Sequence, residues 1–416
     1  MTPLELLVEG AGEVFTADPN ALGPADCVGV VGGRVAFVGA RAALAQHGFQ
    51  VGPTTQRIDA RGGLVTPGLV DPHTHLVFAG DRADEYVQRA AGVSYRDLAR
   101  AGGGISATMR ATRAAALEDL VTLAVPRLDR LLAHGVTTAE VKSGYGLDLE
   151  SELKMLRAVR MLDAAHPVDL VPTFLGAHTV PPEHQATPSA YFDVLVSEML
   201  PAIAAEGLAR FCDAFVEDTA VSPQAAERVL RAAQALGLEP KLHVDQLSDG
   251  GGAELAARLG AVSADHLEHA SPAGIDALAR AGTTAVLLPG ATLFLGHAAK
   301  PPARALIAAG VPVALSTDCN PGTSPTENLP LMLTLGMSQL GLTPREVMLG
   351  VTTHAARALR LEHEVGRLAP GFAADLVVFD VPSHVHLPYA FGTNRARVVV
   401  KRGRVVLGGD STWQSC

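Results

Sequence analysis

Two histidines, His73 and His75, follow an apolar run that starts at Gly63 and includes the turn Pro67-Gly68. In an extended strand, side chains at positions i and i+2 point to the same face, so both imidazoles are expected to project from one strand end. Imidazole nitrogens that converge on one point are ligands for metals such as zinc. A single His-x-His pair is weak evidence, because an isolated histidine is often a hydrogen-bonded core residue. The pair indicates a metal site only if other segments supply further ligands.

Other apolar segments also end in side chains that can do chemistry. In chain order these ends carry Glu140, Lys142 and Tyr145, then His178, then Glu217 and Asp218, then His243 and Gln246, then Asp265, His266, Glu268 and His269, and last Asp318, Asn320 and Thr323. Each residue alone has a plain structural interpretation, such as a helix cap for Asp318 or a core position for His243. Their shared place at the ends of predicted strands argues for one common site.

Four of these residues suit a catalytic metal ion. His73, His75, His243 and Asp318 form a mixed nitrogen and oxygen shell, which fits zinc or iron with an open position. Such an ion lowers the pKa of water toward neutrality. The reaction then needs a general base, and His266 lies one predicted strand beyond His243. With Asp318 as a second proton-transfer group, the residues predict metal-assisted hydrolysis.

The elements that would position these residues alternate through the middle of the chain. Strand candidates are residues 68–76, 136–142, 169–176, 210–216, 240–244, 261–266, 284–289 and 313–317. Helix starts are marked by Ser222-Pro223 and by the spacing from Thr343 to Glu346. Strands and helices in this alternation predict an α/β fold, a (β/α)8 TIM barrel with its chemistry at the carboxyl ends of the strands. A doubly wound open sheet is the alternative, which polar residues at nearly every strand end disfavour.

The two ends of the chain have short β-branched runs and glycine turns. Residues 28–39 predict a hairpin through Gly32-Gly33, and residues 375–380, 396–401 and 403–407 predict further strands. Because chain termini often lie close together, we expect both ends to form one small β-sandwich domain. The predicted division is residues 1–65 and 366–416 for that domain and residues 66–365 for the barrel.

Composition excludes several classes of protein. The 416-residue chain is 48% hydrophobic and 18% charged, which suits a large buried core and excludes a disordered chain. Its formal net charge of −10 argues against nucleic acid or an anionic membrane as partner. The four cysteines are scattered, the N-terminus lacks a basic signal region, and no apolar run approaches the roughly 20 residues of a membrane helix. We expect a cytoplasmic protein with a small-molecule substrate.

These motifs together resemble the amidohydrolase superfamily, through His-x-His after Pro-Gly-Leu-Val-Asp, the later histidines and Asp318, and the run from Gly366 to Asp380. More specific blocks resemble the imidazolonepropionase family over essentially the full chain. These blocks are residues 78–82, 102–105, 140–147, 174–179, 243–246, 263–267 and 318–323. The resemblance implies one zinc or iron ion per subunit, held by His73, His75, His243 and Asp318, and a homodimer.

The same resemblance implies an activity and its residues. The reaction would be hydrolysis of the ring C–N bond of 4-imidazolone-5-propanoate to N-formimidoyl-L-glutamate, the third step of L-histidine degradation. Catalysis would fall to His266 and Asp318. Substrate contacts would come from Arg82, Tyr145, His178, Gln246, Asn320, Gly322 and Thr323. Arg82 offers a fork for the substrate carboxylate, although a surface ion pair with Asp81 or Asp84 is the alternative.

One departure from the wider superfamily and the residue type at position 246 narrow the predicted metal count and the predicted proton-transfer groups. The fourth strand ends at residues 215–218 without the lysine that bridges two metals, so we expect one ion, with Lys142 in a structural or supporting role. Gln246 cannot act as a carboxylate base, which leaves proton transfer to His266 and Asp318. A one-metal deaminase of a cyclic amidine or aminopurine is the rival, but such enzymes usually need an acid where Gln246 stands. A non-catalytic scaffold is a further alternative, which the complete ligand set disfavours.

Overall fold

The computed structural model describes residues 1–21, 23–93 and 102–408. The last part of the predicted C-terminal segment, residues 409–416, lies outside the described residues. The strands are β1 Thr2–Pro3, β2 Leu6–Glu9, β3 Glu13–Val14, β4 Cys27–Val31, β5 Arg34–Gly39, β6 Phe49–Gln50, β7 Gln56–Asp59, β8 Leu64–Pro67, β9 Leu69–Asp71, β10 Val136–Lys142, β11 Asp169–Ala177, β12 Phe211–Val216, β13 Glu239–Val244, β14 Ser263–His266, β15 Thr284–Leu287, β16 Val313–Leu315, β17 Leu376–Phe379, β18 Ala396–Lys401 and β19 Arg404–Leu407.

Helices occupy most of the chain between the strands. The described α-helices span Ala83–Ala90, Ile105–Ala114, Leu117–Ala133, Leu149–Ala165, Pro188–Val194, Leu200–Glu206, Pro223–Ala235, Gly252–Arg258, Pro272–Ala281, Pro289–Leu295, Ala303–Ala308, Leu329–Leu340, Pro344–Gly350, Thr353–Arg357 and His386–Tyr389. Short 3-10 helices lie at Arg41–His47 and Pro182–His184, and a π-helical turn lies at Leu195–Met199. No helix in the described ranges combines the length and the apolar character needed to cross a membrane.

Strands β9 to β16 form an eight-stranded sheet in which each strand pairs with the next one along the chain. All seven pairings are parallel. Every residue of β10 is buried, as expected for a strand covered by helices on one side and packed inside a barrel on the other. The predicted α/β fold with a TIM barrel is therefore confirmed, and the carboxyl ends of all eight strands meet at one mouth.

Side chains help to close the barrel between β9 and β16. A parallel bridge joins Thr74 to Cys319. The carboxylate of Asp71 accepts hydrogen bonds from the backbone N–H of Thr317 at 3.1 Å and from its hydroxyl at 2.6 Å. The Ser316 hydroxyl also donates to Asp71. The first and last strands are therefore linked beside the segment that carries His73.

The first barrel strand is shorter than predicted. The sequence suggested a strand over residues 68–76, but β9 ends at Asp71. The next residue is Pro72, which has no N–H to donate to a neighbouring strand, so ladder pairing stops there. The backbone returns to a single bridge at Thr74, which leaves His73 and His75 just beyond the strand and on one side of it.

Strands from both chain ends form separate sheets. One sheet has the order β19-β18-β17-β8-β3, and a second has the order β5-β4-β2-β7. The predicted hairpin is formed by β4 and β5, with Gly32 and Gly33 at φ 60° and 69°, values that suit glycine. Val30 of one sheet and Val378 of the other belong to the same buried cluster. The division at residues 65 and 365 stays a prediction.

Helix starts follow the predicted caps. The Ser222 hydroxyl accepts from the N–H of Ala225 at 3.3 Å, and its helix begins at Pro223. The Thr343 hydroxyl accepts from the N–H of Glu346, whose carboxylate accepts in return from the N–H of Thr343. These local signals depend on neighbouring residues only, which explains why the sequence locates them well.

Candidate active site

Three histidines and one aspartate converge at the barrel mouth. The Nε2 atoms of His73 and His75 lie 3.2 Å apart, and Nε2 of His243 lies 3.4 Å from that of His75. Oδ1 of Asp318 lies 3.5 Å from Nε2 of His73 and 3.6 Å from Nε2 of His75. All four side chains are almost fully buried. The four atoms thus surround one small volume.

The spacing and the chemistry of these atoms fit a metal ion. Metal–ligand distances of about 2.0–2.2 Å in a tetrahedral shell place the ligand atoms roughly 3.3 Å apart, close to the distances observed here. Burial lowers the pKa of His73, His75 and His243, so the imidazoles are neutral and can offer a lone pair. Nδ1 of His73 lies 2.6 Å from Oδ2 of Asp265 and donates to it, which leaves Nε2 unprotonated. The residues present therefore fit a metal cofactor.

A second layer of buried charges lies beneath these ligands. Asp265 accepts from His73, and Oδ2 of Asp213 lies 3.0 Å from Nδ1 of His243. Carboxylates in this position fix the orientation of metal-binding histidines. The Lys142 ammonium lies 2.7 Å from Asp213 and 3.4 Å from Asp265. In the described chain, Nδ1 of His75 has no hydrogen-bond partner.

Two further charged residues complete this buried network. Oε2 of Glu140 lies 2.9 Å from the Lys142 ammonium, and Oε1 lies 2.8 Å from the Lys241 ammonium. Lys241 also donates to the carbonyl oxygen of Pro72 at 3.1 Å. All these charged side chains are fully buried. Buried charges persist only when they are paired, and this network pairs each of them.

Of the two predicted proton-transfer groups, Asp318 belongs to the cluster itself, and His266 lies beside it. Nδ1 of His266 lies 3.9 Å from Oε2 of Glu268. Burial opposes the protonation of His266, but the carboxylates of Glu268, Asp318 and Asp265 outweigh it and raise its pKa above the ordinary value. Burial raises the pKa of Asp318 to about 7. A cation bound at the four-ligand cluster would favour the carboxylate form of Asp318.

Backbone conformation at the site is unusual for residues with side chains. Asp245, His266, Leu267 and Asp318 have φ values of 51°, 78°, 69° and 53°. Such positive φ values cost on the order of 1–3 kcal/mol each and persist where surrounding structure enforces them. The strained positions fall directly after β13, after β16 and at the end of β14. They turn His266 and Asp318 toward the barrel mouth.

A cavity of about 690 Å³ opens above this cluster. Its lining includes His75, His243, His266 and Asp318 together with Arg82, Tyr145, His178, Gln246, Asn320 and Thr323. A cavity of this size accommodates a small organic molecule. The structure thus brings nearly all the sequence-predicted site residues to one cavity.

Arg82 forms part of the cavity wall and does not form a surface ion pair. It is 9% exposed, and its Nε donates to the Thr108 hydroxyl at 2.9 Å. Within the described ranges, no carboxylate lies within ion-pair distance of its guanidinium, so the alternative pairing with Asp81 or Asp84 is not seen. Gly322 lies directly under the guanidinium, facing a second cavity of about 430 Å³. Gly322 is therefore a support for Arg82 and does not line the main cavity.

Tyr145 and His178 form a second wall. The ring centroid of Tyr145 lies 5.8 Å from that of His75 and 5.6 Å from that of His178. The loop that carries Tyr145 is anchored by the carboxylate of Glu152, which accepts from the N–H groups of Gly144, Gly146 and Leu147. The sequence offered no signal for this role of Glu152, which lies inside a helix.

The loop after Asp318 is organised by its own side chains. Nδ2 of Asn320 donates to the Asp318 carbonyl and to the Thr323 hydroxyl, and its Oδ1 accepts from the N–H groups of Gly322 and Thr323. The Thr323 hydroxyl in turn lies 3.4 Å from Oδ2 of Asp318. Asn320 therefore holds the loop, while Thr323 helps to orient Asp318.

Gln246 lies on a loop that is hydrogen-bonded to Glu217, the residue that follows the neighbouring strand β12. Glu217 accepts from the N–H of Leu247 at 2.7 Å and from the Ser248 hydroxyl at 2.8 Å. This gives Glu217, a candidate from the sequence, an anchoring role. Of the other candidates, Asp218 and His269 do not line the cavity.

Sequence reasoning missed several supporting residues. Asp213 and Lys241 received no role, and Asp265, Glu140 and Glu268 were noted only as strand-end residues. A signal existed for two of them, because Asp213 and Lys241 interrupt otherwise apolar strands. A charged residue at such a position needs a buried partner of opposite charge, so its presence predicts a buried charge network.

Comparison with known proteins identifies the class. Residues 64–406 match the amidohydrolase family. An imidazolonepropionase of Myxococcus xanthus (strain DK1622) is 52% identical, with 98% of each chain covered. One from Symbiobacterium thermophilum is 48% identical, again with 98% of each chain covered. A solved adenosine deaminase from Xanthomonas campestris with bound zinc has a TM-score of 0.71 at 20% identity, covering 100% of this chain and 95% of its own.

The chain therefore belongs to the amidohydrolase family and, within it, to the imidazolonepropionases. The likeness to the adenosine deaminase shows the shared fold alone. The family and the cluster of His73, His75 and His243 indicate a metal cofactor, and the enzyme relatives indicate a small-molecule substrate.

Proposed function

We propose that this enzyme hydrolyses the ring C–N bond of 4-imidazolone-5-propanoate to N-formimidoyl-L-glutamate, the third step of L-histidine degradation. The relatives at about half identity over nearly the whole chain support this activity. The observation that carries it is structural. Three imidazole nitrogens and the Asp318 carboxylate converge at the floor of a cavity whose wall carries the guanidinium of Arg82.

We assign one zinc or iron ion per subunit to His73, His75, His243 and Asp318. When bound, such an ion lowers the pKa of water and polarises a carbonyl oxygen. Three nitrogen ligands and one carboxylate suit either metal. Lys142 fills the space between Asp213 and Asp265 with an ammonium group. This supports a site for one metal ion.

Arg82 is assigned to the propionate carboxylate of the substrate. The Thr108 hydroxyl accepts a hydrogen bond from its Nε, and Gly322, which has no side chain, leaves room for the guanidinium at the cavity wall. The planar guanidinium can bind a carboxylate through two parallel hydrogen bonds. Because no described carboxylate neutralises Arg82, the substrate would supply the missing negative charge.

His178 is assigned to the imidazolone ring as a hydrogen-bond acceptor. Its Nδ1 lies 3.0 Å from the Gly144 carbonyl, which can only accept, so Nδ1 carries the proton. Burial lowers the pKa of His178 to about 3, so the ring is neutral and Nε2 carries a lone pair. A ring N–H of the substrate is the matching partner.

His266 and Asp318 are assigned to proton transfer. Both line the cavity: Asp318 is itself one of the proposed ligands, and His266 lies beside them with Glu268 behind it. They would accept a proton from the attacking water and deliver it to the departing ring nitrogen. The ring C–N bond then breaks without leaving a negative charge on that nitrogen, which stays in the opened product. Gln246 cannot share this task, because an amide does not titrate.

The proposed activity is tested with freshly prepared imidazolone propionate. Loss of its ultraviolet absorbance, formation of N-formimidoyl-L-glutamate and released ammonia are followed in the same sample. Ring opening without ammonia is expected. Ammonia release from cyclic amidines or aminopurines, with no turnover of imidazolone propionate, would instead establish the rival deaminase.

We further propose that the enzyme acts as a homodimer in the cytoplasm without nucleic acid or membrane partners. The net charge of −10 supports the last point. Light scattering of the purified protein measures its mass in solution. A mass equal to that of one chain would contradict the dimer.

A further inference from the structure

Lys142 lies at the centre of the charge network beneath the proposed metal ligands. It is the last residue of β10 and is fully buried. Its ammonium contacts Asp213 at 2.7 Å, Glu140 at 2.9 Å and Asp265 at 3.4 Å. The side chain therefore joins carboxylates from three different barrel strands.

Two of these carboxylates act on the proposed ligands. Asp265 accepts from Nδ1 of His73 at 2.6 Å, and Asp213 lies 3.0 Å from Nδ1 of His243. The hydrogen bond to Asp265 sets the rotation of the His73 imidazole, and the Asp213 carboxylate lies at ion-pair distance behind the His243 imidazole. A continuous path of contacts thus runs from Lys142 through two aspartates to two histidines.

Without the ammonium, the two aspartates would repel one another. Carboxylate oxygens of Asp213 and Asp265 lie within 4.8 Å of each other, and both side chains are fully buried. At this separation two like charges repel strongly, because little water is present to screen them. We expect the carboxylates to rotate apart, and this movement releases the imidazoles that they contact.

We propose that Lys142 is a positioning residue that sets the metal affinity of the site by fixing Asp213 and Asp265. The proposal rests on the ligand assignment made above. Its role is distinct from that of a ligand, since its ammonium is paired with three carboxylates and offers no lone pair to a metal. Outer groups that orient metal-binding histidines typically change metal affinity by about 10- to 100-fold.

The test compares zinc affinity in Lys142→Met and in the unaltered enzyme, by competition with a chromophoric chelator. Methionine keeps an apolar stem of similar length and removes the charge. The zinc dissociation constant is expected to rise by about 10- to 100-fold. Combined with Asp265→Asn, the two changes should have less than additive effects, because both act through the same imidazole.

A matched control separates positioning from general destabilisation. Lys401 is also a nearly buried lysine, paired with Asp375 at 2.6 Å and Asp169 at 2.8 Å in a region away from the metal ligands. Lys401→Met should lower the thermal midpoint and leave the zinc dissociation constant unchanged. If Lys142→Met matched this control in both measurements, Lys142 would be structural only.

The outcomes distinguish this proposal from the one on which it rests. An unaltered enzyme that binds no zinc would overturn the ligand assignment itself. An unaltered enzyme that binds zinc, with Lys142→Met within twofold of it, would overturn only the positioning role. If Lys142→Met does not fold, Lys142→Gln is measured in its place, with the rate of zinc loss from the loaded protein to excess chelator as the readout. A rate equal to that of the unaltered enzyme would again contradict the proposal.

Discussion

Gly322 offers a sensitive test of the proposed carboxylate site, because a methyl group there would displace Arg82. A Cβ atom at Gly322 would lie 2.2 Å from Nη1 and 2.8 Å from Cζ of Arg82. Ordinary contacts begin near 3.4 Å, so the guanidinium would have to move by about 1 Å or more. Gly322 does not have a positive φ angle, so an alanine at this position causes no backbone strain.

The expected result of Gly322→Ala is a higher KM with little change in stability. The displaced group is the end of a flexible side chain, so the fold can adjust. A hydrogen bond to a charged group is worth about 1.5–3 kcal/mol. Losing the two-pronged geometry should therefore raise KM by roughly 10- to 100-fold, given about 1.4 kcal/mol per factor of ten.

Steady-state kinetics with imidazolone propionate measure this effect. Gly52→Ala is the control, because Gly52 has only ordinary contacts at 3.9 Å or more and lies far along the chain from the site. The double variant Arg82→Ala with Gly322→Ala should be no worse than Arg82→Ala alone, since both act through one guanidinium. An unchanged KM in Gly322→Ala, or a fall in kcat alone, would refute the reasoning.

Four further predictions address other parts of the site. Arg82→Ala should chiefly raise KM, and an unchanged KM in kinetics would exclude the carboxylate role. His266→Ala should retain its metal in elemental analysis, while kcat falls by about 10²- to 10⁴-fold. His243→Ala should lose both the metal and the activity. A near-normal kcat in His266→Ala would exclude His266 from proton transfer. Glu152→Gln places an amide donor among backbone N–H groups and should lower the free energy of unfolding by about 1–3 kcal/mol. Urea denaturation measures this change. An unchanged midpoint would contradict the role of Glu152 in anchoring the Tyr145 loop. Asp265→Asn should weaken zinc binding by about 10- to 100-fold in chelator competition, and unchanged affinity would show that His73 needs no partner.

The fold was largely predictable from sequence because its signals are periodic and local. The barrel strands appear as short apolar runs, and the capping box at Thr343 depends only on neighbouring residues. The error at the first strand also has a local cause, since Pro72 interrupts pairing in a run that otherwise looks continuous.

The residues that meet at the cavity were predictable because parallel strands end at one mouth. His73, His75, His243 and Asp318 all follow or end strands, so topology alone brings them near one another. Their role as metal ligands stays a prediction, although their spacing fits it.

The supporting layer could not be derived in the same way. Asp213 approaches His243, while Lys142 reaches carboxylates on two other strands, and these pairings depend on side-chain direction inside the barrel. The tautomer of His178 follows from one carbonyl, that of Gly144, which no sequence pattern specifies. The role of Gly322 likewise depends on the Arg82 side chain that packs against it, a contact that the sequence does not show.

The central claim is that one metal ion, held by His73, His75, His243 and Asp318, is required for ring opening. Metal content by elemental analysis and turnover of imidazolone propionate should be measured on the same purified sample, before and after chelation and after return of zinc or iron. We predict about one ion per chain, loss of turnover with loss of the ion, and recovery on its return. Full turnover by metal-free protein would contradict the claim.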